Sequence, residues 1–178
     1  MVRGTFSPDR AWRPAVGARL ARTLGGTSHH LLPPTNVKYE DLESAFQWSS
    51  SGAPFEHTAL LHRQTGEVFL KSMHGDFDED LPEDIEDGSI YIAAPHKSDL
   101  SLGRELVFDF VEAVAPQHLR QVESFFRQRS AYSKFKALLE RESLLDEWYN
   151  YEAAATRKAL LRWASENGLQ ITSIPSAA

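Results

Sequence analysis

Cysteine is absent from the chain, which excludes structural disulfides, thiolate metal sites and a thiol nucleophile together. Long apolar runs are missing as well. None approaches the roughly 18 residues that a helical membrane span needs, so no membrane partner is expected. The start has no apolar block of the secretory type, and a cytoplasmic location is the expectation. There is no glycine-rich phosphate loop, metalloprotease helix or nucleophile elbow. His57, His62, His74, His96 and His118 show no pairing at metal-ligand spacing on an expected helix. Neither a metal nor a cofactor is expected.

What is present suits one domain. Apolar residues make up 42% and charged residues 25% of 178, enough for a real core and too apolar for a disordered chain. The net charge of −6 is unevenly distributed. Residues 1–36 carry five arginines against Asp9, a net +4, and the remainder carries 14 bases against 24 acids, a net −10. An acidic body disfavours a broad nonspecific contact with nucleic acid. The leader mixes Gly, Pro, Ser and Arg without sustained periodicity, and reads as a mobile basic extension.

Past Pro33 and Pro34 the pattern changes. Leu42, Ala45, Phe46 and Ser49 fall at helical spacing behind Glu40, Asp41 and Glu43, predicting a first helix that Gly52 ends. "HTALLHRQTGEVFLKSM" reads as a hairpin with Gly66 in the left-handed position. "SIYIAAP" supplies a third strand, closed by Pro95. The rest is helical. Leu102, Leu106, Val107, Phe110, Val111 and Val114 form one stripe, and Ser98 or Asp99 is expected to cap that helix. Pro116 opens a helix burying Leu119, Val122, Phe125 and Phe126. Another from about Ser130 buries Tyr132, Phe135, Leu138 and Leu139. The last, from about Ser143 to Asn167, carries Leu144, Trp148, Tyr151, Ala155, Ala159 and Trp163, with Gly168 after its end. The expected fold is α+β, a small antiparallel sheet (hairpin plus one strand) with about five helices and a helical C-terminal half. Its expected divisions are a leader 1–36, a single domain 37–171 and a flexible tail 172–178.

"DLPEDIEDGSIYIAAPHKSDLSLGRELVFDFVE", "AYSKFKALLERESLLDEWYNYE" and "WASENGLQI" together resemble the bacterial uncharacterised protein family 0158, over roughly Val37 to Ile171. Members read "GAY" where this chain has Ser130, Ala131 and Tyr132. The resemblance implies a common fold but brings no reaction and no catalytic residues.

Candidate chemistry is sparse. Asp76, Asp78 and Asp80 begin with the alternate spacing of a calcium loop, but Leu81 and Pro82 stand where the template needs a glycine turn, and Asp87 closes it instead of a bidentate Glu. A solvated acidic loop is expected. Glu147 and Glu152 beside Trp148, Tyr149 and Tyr151 read as the solvated face of a core helix rather than a sugar cleft. Arg120, Arg127, Arg129, Lys134 and Lys136, interleaved with aromatics, are the candidate nucleic-acid contacts, although Phe125, Phe126, Tyr132 and Phe135 fit helix stripes. His96 and Lys97, followed by Arg104, are the candidate anion-binding residues, at a strand-to-helix corner where Asp99 competes for the same amides. The expected function is a non-enzymatic interaction or regulatory module whose acidic surface meets a protein partner. The alternatives are a nucleic-acid-associated protein using the leader or the Arg120 to Lys136 helix pair, and an unrecognised enzyme with a polar pocket.

Overall fold

Thr35–Lys38 (β1) and Leu169–Thr172 (β5) pair in parallel, Thr35 opposite Leu169 and Lys38 opposite Thr172. The computed structural model describes residues 35–53, 56–75 and 81–173, all within a unit that begins at Leu32. Residues 1–34 of the expected leader, with His29 and His30, the acids Asp76, Asp78 and Asp80, and residues 174–178 lie outside the described residues. The β1–β5 pair was not expected from the sequence, and it moves both boundaries: residues 35 and 36 and Thr172 belong to strands. Alternation explains β1, with Thr35 and Val37 buried and Asn36 and Lys38 exposed. A parallel pair needs a long crossover, here the whole of the intervening domain.

The remaining elements follow the expected order. Helix α1 spans Tyr39–Ser49, then come β2 (His57–His62), β3 (Val68–Ser72) and β4 (Tyr91–Ala93). A 3₁₀ turn at Pro116–His118 separates α2 (Arg104–Val114) from α3 (Leu119–Phe125), and α4 (Ala131–Arg141) and α5 (Leu145–Glu166) precede β5. The antiparallel sheet has the order β3-β2-β4. Gly66 takes φ +75° as the first residue of a bulge: its amide donates to the His62 carbonyl at 2.9 Å, and the His62 amide donates to Glu67 at 2.8 Å. Gly168 likewise sits at φ +74° after α5.

Two apolar cores share α5. Leu42, Ala59, Leu61, Leu160 and Ala164 anchor the first, between the sheet, α1 and the C-terminal half of α5. Phe110, Val122, Phe135, Leu139 and Trp148 anchor the second among the helices. The expected α5 stripe holds at Trp148 and Ala159, but the buried line then passes through Leu160 and Ala164, leaving Trp163 half-buried. The helix changes partners along its length, so one stripe cannot serve both. Of the expected α4 core residues, Phe135, Leu138 and Leu139 are buried, whereas Tyr132 is 46% exposed.

Two helix ends differ from expectation. Helix α1 stops at Ser49, with Ser50 still in a right-handed conformation, before Gly52. Helix α2 begins at Arg104, not Leu102, behind Gly103, and no described side chain caps it. Neither Ser98 nor Asp99 caps it, because both are engaged in the corner upstream.

Candidate functional site

The corner after β4 is a single closed turn. His96 caps it, its Nδ1 accepting from the Ser98 amide at 3.1 Å, and Asp99 reaches back with Oδ2 to the His96 amide at 3.0 Å. This reciprocal arrangement is a capping box with a histidine in the serine position. The turn ends on Ser101 at φ +57°, and the Leu102 amide donates to the Lys97 carbonyl at 2.9 Å, the six-to-one bond of a Schellman ending. Lys97 ties the turn to α1: its amide donates to Ser50 Oγ and its Nζ to the Ser50 carbonyl, both at 3.0 Å. An ammonium on the carbonyl end of a helix is electrostatically favourable. Asp99 thus closes the turn on itself, and Lys97 fastens it to the end of α1.

A cavity of about 140 Å³ opens beside this corner, lined by Ser49, His57, Thr58, Ala93, Ala94, His96 and Asp99. Two serine–histidine contacts border it, which spacing along the chain did not reveal. Ser51 Oγ lies 2.7 Å from His57 Nδ1, but its proton goes to the Trp48 carbonyl at 2.7 Å. The imidazole is therefore the donor in that contact, the wrong direction for activating a nucleophile. Ser98 Oγ lies 2.6 Å from His96 Nδ1, while His96 Nε2 is buried and has no hydrogen-bond partner among the described residues. Catalytic triads place a carboxylate on that second nitrogen. Here Asp99 sits on the serine side instead, 3.4 Å from Ser98 Oγ.

Arg104 does not join His96 and Lys97. It lines a separate groove of about 290 Å³ with Phe108, Glu112, Leu119, Glu123 and Arg127. Its guanidinium lies 5.1 Å from the Phe108 ring centre and 5.8 Å from that of Phe126, within cation–π range. Phe126 in turn meets Tyr132 edge to face at 5.2 Å. Beside the groove, burial first and then the charges of Glu112 and Glu105 raise the Asp109 carboxyl above the ordinary aspartate range. Burial, then Asp109, raises the Tyr151 phenol. Burial, then Glu152, raises that of Tyr132.

The other basic candidates are dispersed. Lys134 Nζ donates to Gln128 Oε1 at 2.5 Å, and Lys136 lies 5.3 Å from the Tyr149 ring centre. Arg120 and Arg129 are exposed, and Arg127 shares its groove with two glutamates. In the acidic stretch, Glu86 pairs with Lys71, and the Tyr91 hydroxyl donates to Asp84 Oδ1 at 3.2 Å. Asp87 accepts from the Ser89 hydroxyl and amide, which hold its carboxyl below the usual range. Among the described residues no group of three His, Asp or Glu side chains is placed to hold a metal ion, and no helix is long and apolar enough to cross a membrane. No family model, curated protein or solved structure matches the chain.

Proposed function

We propose that the protein is a non-enzymatic interaction module that binds a protein partner across the α2–α3–α4 surface. The observation that carries this reading is the Arg104 guanidinium seated on Phe108 and Phe126 beside the half-exposed Tyr132. Arginine and tyrosine held in place on an aromatic base are the residues in which interface energy concentrates. The neighbouring acids Glu105, Asp109 and Glu112 repel one another, and a basic side chain from the partner relieves that repulsion on docking. A carboxylate of the partner suits the fork of Arg104.

Mixed charge favours a polypeptide over nucleic acid as the occupant. A phosphate backbone reaching Arg104 and Arg127 meets Glu112 and Glu123 in the same groove, and two of the five basic candidates already face Gln128 and Tyr149. The proposed membership of the uncharacterised protein family 0158 supplies no reaction, so the reading rests on this surface. Co-purification from the native host tests it, with wild type compared against Arg104→Ala combined with Tyr132→Ala after both show the same melting temperature. A defined protein retained by wild type and lost from the variant supports the module. Equal retention, or oligonucleotide binding that falls steeply with salt, contradicts it.

A further inference from the structure

We propose that the outer edge of β3 is a strand-addition site for an extended basic peptide segment of another protein. The hydrogen-bond ladder fixes which backbone groups face outward. The His62 amide bonds Glu67 at one end of the β2–β3 pair and the Met73 amide bonds Glu56 at the other, so alternation makes Leu60–Phe69 and Thr58–Lys71 the bonded pairs between them. Val68 and Leu70 then point their amides and carbonyls away from β2. The opposite side of β2 is used consistently by β4, through Ala94 to Ala59 at 2.8 Å and Arg63 to Ile90 at 2.7 Å. Sheet order leaves β3 as an edge, and no described strand pairs with its outer side.

Among the described residues, the other edge is protected and this one is not. Strand β4 has three residues, its Tyr91 amide is held by the Asp87 carbonyl at 2.9 Å, and Pro95 follows closely. Short strands and prolines are the ordinary devices against edge pairing. Strand β3 reads Val-Phe-Leu-Lys-Ser, apolar where an open edge invites another strand. Alongside it runs a groove of about 340 Å³ whose lining comes from α1 (Asp41, Ser44, Ala45) and from Gly66 to Leu70. A strand added about 4.8 Å from β3 directs every second side chain into that groove, under α1. This is the geometry by which sheet-edge binders gain affinity from the main chain and selectivity from alternate pockets.

Charge selects the occupant. Asp41 and Glu67 line the groove, and among the described residues neither takes part in an ion pair. A second copy of the chain brings more acid to this edge, since residues 37–178 carry a net −10, whereas a peptide with Lys or Arg flanking small apolar side chains neutralises it. This surface is distinct from the Arg104 groove and does not rest on it.

The experiment selects binders from a random peptide library displayed on phage against the full-length protein. Selected peptides are then synthesised with single N-methyl groups at each position in turn. Strand addition requires a period of two: methylation at alternate residues weakens binding at least about tenfold and is tolerated between them. Asp41→Lys and Glu67→Lys weaken the same peptides, and Arg104→Ala leaves their affinity unchanged. The proposal is overturned if no peptide is selected, if N-methylation shows no alternation, or if charge reversal has no effect. It is overturned equally if Arg104→Ala removes binding, or if the full-length protein sediments as a dimer that Leu70→Pro dissociates, because β3 is then taken by its own copy.

Discussion

Gly66 approaches Asn36 so closely that a β-carbon on it would lie 2.6 Å from the Asn36 carbonyl oxygen. The hairpin turn and β1 therefore touch backbone to backbone at a residue that is also left-handed. Gly66→Ala meets both obstacles, and we expect a loss of at least about 1 kcal/mol. Chemical denaturation measures it; an unchanged midpoint contradicts the contact.

Four described serines have a positive φ, and all but Ser173 stand at turn positions that favour glycine. Ser101, Ser130 and Ser143 have φ of 57°, 60° and 57°, where a β-carbon crowds the backbone. Ser143 ends α4 as Ser101 ends the corner, with the Leu144 amide on the Leu139 carbonyl at 2.8 Å. Single substitutions to glycine at these positions are each expected to raise stability by up to about 1 kcal/mol, relief of strain exceeding the added chain entropy. Lower melting temperatures for all three contradict the assignment.

The corner is expected to behave as a fastener. Asp99→Ala removes the return arm of the capping box and should cost about 0.5 to 2 kcal/mol. Lys97→Met loses the bond to the Ser50 carbonyl and should cost about 0.3 to 1 kcal/mol. Inorganic phosphate at constant ionic strength should leave the wild-type melting temperature unmoved. A rise abolished by Lys97→Met identifies an anion site instead.

Asp109 gives a pH signature. Burial, then Glu112 and Glu105, raise its folded-state pKa. The group favours the fold while protonated, and that contribution is lost as pH rises from the ordinary aspartate range through the raised value. Asp109→Asn should be more stable than wild type at neutral pH, with the difference vanishing in acid. A variant destabilised at neutral pH contradicts this.

Much of the fold was legible because its signals are local. Helical spacing marked all five described α-helices, and a left-handed glycine marked the bulge at Gly66. The β1–β5 pair was hidden because each strand has four residues and its partner lies at the far end of the domain, so no local pattern joins them. The start of α2 was misplaced because the Asp99 carboxylate folds back on His96, a choice that residue type alone does not reveal. The same turn separates Lys97 from Arg104, which sequence proximity had grouped. Tyr132 followed the stripe of its helix, yet near the start of α4 it meets Phe126 edge to face rather than joining the buried core.

Site-specific photo-crosslinking in living cells of the native host tests the interaction surface most directly. With a photoreactive phenylalanine analogue at Tyr132, a discrete adduct with one other protein is expected, and Arg104→Glu should abolish it. The same analogue at Gln47, exposed on α1, should give no such adduct. Absence of an adduct from position 132, or an identical one from position 47, contradicts a partner docked on the Arg104 groove.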